Sequence, residues 1–581
     1  MAVSDERDRL DLDALALEWT RRRFLRNAAW AFGALGIASP ILSACGSSKK
    51  SGATNTTAAS GVSTTVANGG KTVKIRIPME EPGFASPGVQ ADLGSSFLGH
   101  VCSSGLWVFD KDRKVIPGDV GTYTPSSDLK THTIKLRPDL KWSDGTPYDA
   151  TTYEWSMQFM AKTFNSLADR WLKGAGDIMD GKTKDYTTIA WHADPKDAST
   201  LIIETIFPVS FFEIWAGGRP NFFVQPKHNI EKYGDKDYAT FPHTAHNGPY
   251  MIGEWNHNTS LKLVRNPYYT GPPATPDEID LTIFTSAQDA DAFNAFLGDQ
   301  LDVAVTPIAN MKTLNDDSKL KDNSSTQTYA DVAFVLLNCN KKPFDDVRVR
   351  QALYMAIDRD SLVKDVLQGR GDPAYGVLSP PMKAGYNKDA RPFPEVSVAK
   401  AKSLLSDAGF PDGKGFPDIK YIGYNNGDAT LVAQYVQDQW KKNLGVTMTI
   451  QSLDPGSWFG AVIAVDPASD WGDASDAFWP SDYPEPSEIV GQLFDHGGVA
   501  VYHHHWEKSA ELETLQEQAL FAPDPATRSK LLTDYDMKVA SEVPLIPLYF
   551  PRQIQVHKPN IAGGFYFYGT DFYQVRYLNA T

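Results

Sequence analysis

Cysteine and basic charge are both scarce in this chain, and each shortage excludes a class of protein. Only 3 Cys occur in 581 residues, so a scaffold held together by disulfides is excluded. The 56 Lys and Arg residues are outnumbered by 71 Asp and Glu, which gives a formal net charge of −15. With no basic stripe in the sequence, this balance argues against a nucleic-acid partner.

Sequence motifs of common catalytic and metal sites are also lacking. The chain has no Gly-rich phosphate loop, no HExxH zinc motif and no Gly-x-Ser-x-Gly elbow. Two metal-like spacings occur, His243-x-x-His246 and the run 503–505 of three His, and neither stands among carboxylates. We therefore predict no metal, no cofactor and no enzymatic activity. An exported hydrolase stays open as an alternative, because the many carboxylates leave room for an acid/base pair.

A long apolar run occurs near the N-terminus, from Ala28 to Ala44. Arg21 and Arg22 precede it in the stretch TRRRFLR, which resembles a twin-arginine export signal. The run is at the short end of what crosses a bilayer and has the anatomy of a signal peptide. We predict a signal peptide over residues 1–44; an uncleaved anchor is the alternative.

The apolar run ends in the tetrad Leu-Ser-Ala-Cys, which resembles a lipobox with Cys45 as the lipidated residue. Residues 46–70 are mainly Ser, Thr, Gly and Ala, a composition typical of a flexible tether. We assign 45–72 to the lipidated cysteine and the tether. The remainder is then held on the extracytoplasmic face of the cell membrane.

The other two cysteines, Cys102 and Cys339, form an even pair after export. A disulfide is compatible with an oxidising compartment, and two buried thiols are equally compatible with the sequence. Both alternatives stay open at this point.

Hydrophobic periodicity predicts an α/β protein. Alternating patterns predict strands at 73–77, 131–137 and 261–265. A strand at 419–425, a helix at 429–444 and a strand at 446–450 together form a βαβ unit, which implies a parallel strand pair.

A junction at residues 337–358, LNCNKKPFDDVRVRQALYMAID, combines the end of a strand with the start of a helix. Asp345 or Asp346 is suited to cap the helix, and an apolar stripe follows at helical spacing. The stripe consists of Val349, Ala352, Leu353, Ala356 and Ile357. We interpret this junction as structural and do not expect ligand contacts from Arg348 or Arg350, which lie off the stripe.

Five separated stretches carry a family resemblance when they are taken in order. Together they closely resemble the oligopeptide/dipeptide-type extracellular solute-binding proteins of ABC importers. The resemblance covers nearly all of residues 73–581. The stretches are LRPDLKWSDGTPYDA (136–150), HNGPYMIGEWNHNTSLKLVRNPYY (246–269), the junction continued to Arg359, FWPSDYPEP (478–486) and VPLIPLYFPRQIQV (543–556).

The resemblance implies a two-lobed clamp of the periplasmic-binding-protein type II, with mixed sheets and an inserted subdomain. Ligand would bind between the lobes, which close by hinge bending. The implied first lobe comprises 73–106, 241–328 and 546–581, the inserted subdomain 107–240 and the second lobe 329–545.

The resemblance also implies a ligand site. In oligopeptide-binding relatives a Trp-x-x-Asp-Tyr segment supplies a carboxylate for the α-ammonium of a peptide, and the matching residues are Trp479, Asp482 and Tyr483. An ammonium in a closed cleft needs such a partner. Further candidates are Glu80 or Glu81, in the loop after the first strand, and Trp458, for which a core position is the alternative.

The implied partners are a peptide ligand and the permease and ATPase of an ABC importer, with the binding protein acting as a monomer. The same scaffold also serves relatives that bind oligosaccharides or metal chelates, so a non-peptide solute is the main alternative.

Overall fold

The protein was analysed as a computed structural model, which describes most of the chain after residue 73. The predicted export arginines, Cys45, the tether and the triple histidine lie outside the described residues. Those described are 74–83, 85–86, 93–164, 171–179, 181–219, 222–284, 289–394, 397–425, 427–458, 461–462, 472–479, 481–494, 506, 508–522, 524–563 and 575–580.

The described strands are numbered in chain order. They are β1 (Lys74–Met79), β2 (Trp107–Phe109), β3 (Val115–Pro117), β4 (Val120–Pro125), β5 (Thr131–Leu136), β6 (Trp191–Asp194), β7 (Asp197–Glu204), β8 (Tyr250–Asn256), β9 (Ser260–Arg265), β10 (Glu278–Ile283), β11 (Val303–Val305), β12 (Ser324–Thr328), β13 (Val332–Leu337), β14 (Gly371–Pro373), β15 (Ile419–Tyr424), β16 (Met448–Leu453), β17 (Ala474–Trp479), β18 (Leu545–His557), β19 (Ile561–Ala562) and β20 (Asn579–Ala580).

The described α-helices are numbered in the same way. They are α1 (Leu93–Cys102), α2 (Ala150–Phe164), α3 (Ala175–Met179), α4 (Phe212–Gly218), α5 (Lys227–Asp237), α6 (Asp289–Leu297), α7 (Met311–Asp316), α8 (Ser318–Asp322), α9 (Val347–Met355), α10 (Arg359–Ser361), α11 (Val398–Asp407), α12 (Gly427–Leu444), α13 (Pro455–Trp458), α14 (Pro486–Phe494), α15 (Ala510–Phe521) and α16 (Pro525–Glu542).

The sheets are mixed, and the fold is the predicted two-lobed type II clamp. In the first lobe, the strand order is β1-β10-β9-β8, with β1 parallel to β10 and the other pairs antiparallel. Alternate residues of these strands are buried in a separate apolar core, among them Ile75, Leu263 and Leu281. The predicted strand pattern at 261–265 therefore faces a core on one side, as its alternation requires.

The inserted subdomain contains an antiparallel sheet of order β4-β5-β7-β6 and the hairpin β2–β3. One of its hydrogen-bond connections to the first lobe begins at Asp119, whose side chain is fully buried. The Asp119 carboxylate accepts hydrogen bonds from the hydroxyls of Tyr148 at 2.6 Å and Tyr153 at 2.8 Å. Tyr148 in turn accepts a bond from Asn247, beside the first lobe's β8, at 3.0 Å.

The second lobe confirms the predicted βαβ unit. Strand β15 is parallel to β16, with α12 between them in the chain, and it is also parallel to β17. The sheet continues from β17 through β13 to β18. A large apolar core lies around this sheet and extends without a break into the inserted subdomain.

Strand β18 pairs with strands of both predicted lobes. Its first half pairs with β13 and β14 of the second lobe, and its second half pairs with β11 and β12 of the first. The change of partner occurs near Pro551. The boundary at 545/546 stays a prediction, and the pairing leads us to propose a division between the lobes within β18.

The junction at 337–358 forms as the sequence predicts. Asp346 caps α9 by accepting a hydrogen bond from the backbone N–H of Arg348 at 2.9 Å. All five residues of the apolar stripe are buried, although α9 itself ends at Met355. Arg350, which the pattern places off the stripe, is also buried, and its guanidinium donates to the backbone carbonyls of Val543 at 2.9 Å and Glu542 at 2.8 Å.

Cys102 and Cys339 are both free thiols, so no disulfide joins them. They lie in different apolar cores, Cys102 in the first lobe and Cys339 in the second. Burial raises the pKa of both thiols above the usual value, to about 11 for Cys339. Within the described part of the chain, no helix is long and apolar enough to cross a membrane.

Candidate functional site

Four of the six predicted ligand-site residues lie at one edge of the second-lobe sheet. The parallel strands β15, β16 and β17 end at Tyr424, Leu453 and Trp479, so their carboxyl ends lie at the same edge. In open parallel sheets, this edge is where ligands bind. The predicted residues Trp458 and Asp482 lie in the segments that follow β16 and β17. The fold therefore places these two segments at the same edge of the sheet.

Asp482 lies at the contact between the second lobe and the inserted subdomain. Its carboxylate is 3.3 Å from the guanidinium of Arg219, which follows α4 in the inserted subdomain. The Asp482 side chain is 43% exposed, whereas that of Arg219 is only 6% exposed. One face of the carboxylate is thus held by a buried cation while the other is reached by water.

The pKa of Asp482 is raised above the usual range, because surrounding protein desolvates the carboxylate, and the charge of Arg219 opposes the increase. The Asp482 carboxylate is therefore reached by water and is also surrounded by protein. A ligand cation beside such a carboxylate is attracted more strongly than it would be in bulk water, because the effective dielectric constant is lower.

Arg219 also contacts a second carboxylate, that of Glu488. The two side chains approach to 3.3 Å, and Glu488 is 1% exposed. Glu488 lies in the first turn of α14, six residues after Asp482, and its other oxygen accepts a 3.5 Å hydrogen bond from the Asp482 backbone N–H. Neither Arg219 nor Glu488 was singled out from the sequence. The sequence pattern gives only weak indications of their roles. Arg219 is a charged residue directly after the apolar run of α4, and Glu488 is an acidic residue at the start of α14.

The two aromatic residues of the Trp-x-x-Asp-Tyr segment differ in accessibility. Trp479, at the end of β17, is half-buried, and its indole N–H has no hydrogen-bond acceptor among the described residues. Tyr483 is fully buried, with its ring 5.4 Å from the Arg219 guanidinium and its Cβ close to Gly218. Tyr483 therefore exposes no surface to a ligand in this conformation and supports Arg219 instead.

Trp458 occupies the alternative, core position. It is 6% exposed, and its indole N–H donates to the Ser475 hydroxyl at 3.2 Å. Its ring packs edge-on against Tyr424, with the centroids 5.3 Å apart. Trp458 thus supports the wall of the cleft from behind Tyr424.

Glu80 and Glu81 differ although they are adjacent. Glu81 accepts hydrogen bonds from Trp255 at 3.1 Å, from the backbone N–H of Asn258 at 3.0 Å, and contacts His257 at 2.8 Å, so it stabilises the β8–β9 turn. Glu80 instead lies near Tyr424 of the second lobe. Burial raises the pKa of Tyr424, and the charge of Glu80 adds to the increase. Of the pair, Glu80 is the one whose charge affects a residue of the second lobe.

Asp476 is a further acidic residue near Tyr424 that the sequence analysis missed. Burial raises its pKa to about 7, and the backbone N–H of Tyr424, which donates at 2.9 Å, opposes the increase. A polar residue inside the apolar strand β17 was the available signal in the sequence.

The described residues contain no group of three or more His, Cys, Asp or Glu side chains suited to hold a metal. The two members of the His243-x-x-His246 spacing have other contacts. His243 stacks on Tyr233 with the ring centroids 4.2 Å apart, and His246 is buried with its ring 3.1 Å from the carbonyl of Ala85.

The chain is similar in sequence to a family of known proteins and to individual relatives within it. The family model described as "Bacterial extracellular solute-binding proteins, family 5 Middle" matches residues 114–500. The periplasmic oligopeptide-binding protein OppA of Escherichia coli K12 is 27% identical over 518 residues, which cover 86% of this chain and 89% of that protein. A probable deoxycholate-binding periplasmic protein of the same organism, YgiS, is also 27% identical, over 79% of this chain and 84% of its own.

Among solved structures, the Escherichia coli murein tripeptide binding protein MppA superimposes with a TM-score of 0.73. The alignment covers 88% of this chain and 99% of that protein at 23% identity. At this identity the likeness establishes the fold, and it matches the two-lobed architecture described above.

Proposed function

The chain belongs to the bacterial extracellular solute-binding proteins of family 5, and from this premise we propose that it is a membrane-tethered receptor for oligopeptides or dipeptides. It binds them in the cleft between its lobes and delivers them intact to the permease and ATPase of an ABC importer. The proposal assigns the protein no enzymatic activity.

The observation that carries the peptide assignment is the position of Asp482. Its carboxylate is partly exposed in a confined space and lies at the boundary between the second lobe and the inserted subdomain. A peptide's α-ammonium needs a carboxylate partner when it leaves water, because an unpaired charge in a cleft is costly. Asp482 offers that partner in a segment whose sequence matches peptide-binding relatives.

Trp479 and Glu80 extend the proposed site. Trp479, half-buried at the end of β17, is suited to line a side-chain pocket for the peptide. The charge of Glu80, in the first lobe, contributes to the raised pKa of Tyr424 in the second lobe, so we expect a ligand between them to touch both lobes. Contacts to both lobes are what a ligand needs in order to favour the closed clamp.

The membrane tether rests on the sequence. The twin-arginine stretch at Arg21 and Arg22 and the lipobox ending at Cys45 precede a flexible spacer. A receptor anchored in this way stays beside its permease, and a monomer is sufficient because a single clamp encloses one ligand.

The first test is native mass spectrometry of the full chain, purified without refolding, followed by release of the bound molecules under denaturing conditions. A ladder of short peptides, returned uncleaved, is the expected result. A sugar, a bile acid, a metal chelate or another single compound would overturn the peptide assignment. Cleavage of added peptides by the pure protein would instead favour the hydrolase alternative.

The second test is the substitution Asp482→Asn, which keeps the shape of the side chain and removes its charge. We expect peptide affinity to fall by about 2–5 kcal/mol, or roughly 30-fold to several thousand-fold. Asp438→Asn, at an exposed position of α12, is the matched control. Equal affinity in the two variants, measured by calorimetry, would contradict a role for Asp482 in ammonium binding.

A further inference from the structure

We propose that Glu488 is a positioning residue that keeps Asp482 available to a ligand ammonium, because Glu488 takes up the charge of Arg219. This inference rests on the proposed function and goes further, since it assigns the selectivity for a free peptide N-terminus to a buried residue that the ligand does not touch.

The difficulty that Glu488 resolves is visible in the geometry. Asp482, the proposed partner of the ammonium, already contacts a cation, because Arg219 lies 3.3 Å from its carboxylate. A guanidinium is always charged and binds carboxylates well. With Arg219 as its counter-ion, Asp482 would present a neutral pair to the cleft and would attract an ammonium weakly.

Glu488 changes that balance. Its carboxylate lies 3.3 Å from the second terminal nitrogen of Arg219 and is 1% exposed, whereas the carboxylate of Asp482 is 43% exposed. Loss of its cation destabilises a buried carboxylate more than a solvent-exposed one, because water does not replace the lost partner. We therefore infer that Glu488 is the main counter-ion of Arg219. The negative charge of Asp482 then remains available to a ligand in the cleft.

The same residue also holds Asp482 in place. The second oxygen of Glu488 accepts a hydrogen bond from the backbone N–H of Asp482 at 3.5 Å. Arg219 is fixed in turn by Tyr483, whose ring lies 5.4 Å from the guanidinium. These contacts link α14 and the end of α4, so the charge and the position of Asp482 depend on both the second lobe and the inserted subdomain.

The readout that isolates this role is discrimination between free and N-acetylated peptides. A random tripeptide pool and the same pool after N-acetylation are offered to the full chain in detergent, and bound peptide is quantified by mass spectrometry. The wild type is expected to prefer the free pool. Glu488→Gln leaves Arg219 with Asp482 as its remaining carboxylate in this contact, so the preference should fall about tenfold or more, equivalent to about 1.4 kcal/mol.

A double variant separates charge from folding. Arg219→Met combined with Glu488→Gln removes both charges and leaves Asp482 without a competing cation. The preference for free peptides should then return towards the wild-type value, although the double variant has lost more native contacts than the single one. A purely structural role for Glu488 gives no such recovery.

The matched control is Glu485→Gln. Glu485 lies in the same segment and forms another buried ion pair, 2.5 Å from Arg528, which is a different arginine from the one that contacts Asp482. We expect this variant to lose stability and to keep the wild-type preference for free peptides. A preference that falls equally in Glu485→Gln and Glu488→Gln would overturn the inference.

The remaining outcomes separate this inference from the proposed function. If the wild type binds no peptide, or binds both pools equally, the peptide assignment itself fails. If the wild type discriminates and Glu488→Gln discriminates as well, the assignment stands and the role of Glu488 fails. If Glu488→Gln loses discrimination and the double variant does not regain it, the charge-balance account is overturned.

Discussion

The carboxylate of Asp372, on β14, forms an ion pair with the guanidinium of Arg552, at the point where β18 passes from the second lobe to the first. The same carboxylate accepts a hydrogen bond from the hydroxyl of Thr328, the last residue of β12, at 2.6 Å. One side chain of the second lobe therefore contacts both β18 and the end of β12, where the chain passes between the two predicted lobes.

We expect Asp372→Ala to make the hinge between the lobes, formed by β18 and the end of β12, more flexible. With both contacts removed, the ligand-free protein should sample open conformations more often, so peptide affinity should fall by about three- to tenfold because the closed form is less populated. Small-angle scattering of the ligand-free protein should show a larger radius of gyration. Glu511→Ala, which breaks an exposed pair with Lys538 away from the hinge, is the control. Unchanged affinity and radius would argue against a hinge role.

The contact between the inserted subdomain and the second lobe depends on Gly218. A Cβ at this position would lie 2.2 Å from the Cβ of Tyr483, which no rotation of the tyrosine side chain relieves. We expect Gly218→Ala to lower the free energy of unfolding by about 1–3 kcal/mol, a typical cost of overpacking. Because Tyr483 supports Arg219, peptide affinity should fall too.

Gly176→Ala is the matched control, since a Cβ there meets nothing within 4 Å. This second variant should be neutral or slightly stabilising, because Ala restricts the unfolded chain more than Gly does. Chemical denaturation of both variants makes the comparison. Equal stability of the two variants would show that the inserted subdomain and the second lobe can move apart at Gly218 without a loss of stability.

Two arginines on the same helix should differ in their effect on stability. Arg350 is buried and donates to the carbonyls of Phe344, Glu542 and Val543, so Arg350→Met leaves these acceptors without their donor. We expect a loss of about 2–4 kcal/mol in the free energy of unfolding. Arg348, two residues earlier, is 47% exposed and pairs with Asp346, so Arg348→Met should cost much less. Urea denaturation distinguishes the two, and equal losses would contradict the role of Arg350 as the donor to these carbonyls.

The pH dependence of stability should contain a contribution from Asp536, a buried residue of α16. Burial raises its pKa from 3.8 to about 7, and the backbone N–H groups of Val377 and Leu378, which donate to it, oppose the increase. The folded state therefore holds a proton that the unfolded state releases at lower pH. This stabilising contribution is complete below pH 3.8 and is lost as the pH rises through about 7.

Asp536→Asn removes that contribution. Between pH 4 and pH 7, the wild type should lose up to about 4 kcal/mol of unfolding free energy relative to the variant. Asp476, whose pKa burial also raises to about 7, is present in both proteins and cancels in the comparison. Parallel pH profiles of the two proteins, measured by denaturant unfolding, would show that Asp536 does not titrate in this range.

Local sequence pattern was sufficient to predict the strands and helices whose formation depends on neighbouring residues. The strand at 261–265, the βαβ unit and the capped helix at Asp346 are all confirmed, because alternation, helical spacing and capping act over a few residues. The resemblance supplied the two-lobed arrangement, which periodicity alone does not contain.

The candidate site was predictable only in part, because its partners come from distant positions. Arg219 and Asp482 are 263 residues apart, so no local spacing connects them. Likewise the sequence does not separate Glu80 from Glu81: the two are adjacent acids, and only the β8–β9 turn shows that Glu81 is occupied. Tyr483 was identified by its motif, whereas its burial follows from how the inserted subdomain packs against it.

Strand β18 has a consequence for how the protein is made. It is the shared partner of β11, β12, β13 and β14, and it follows all four in the chain. A chain still being synthesised thus carries these four strands without the neighbour that satisfies their backbone groups, and unpaired strand edges promote association between chains. The sheet that joins the lobes can form only after residues 545–557 have been made, so the four strands depend on a segment that is synthesised later than all of them.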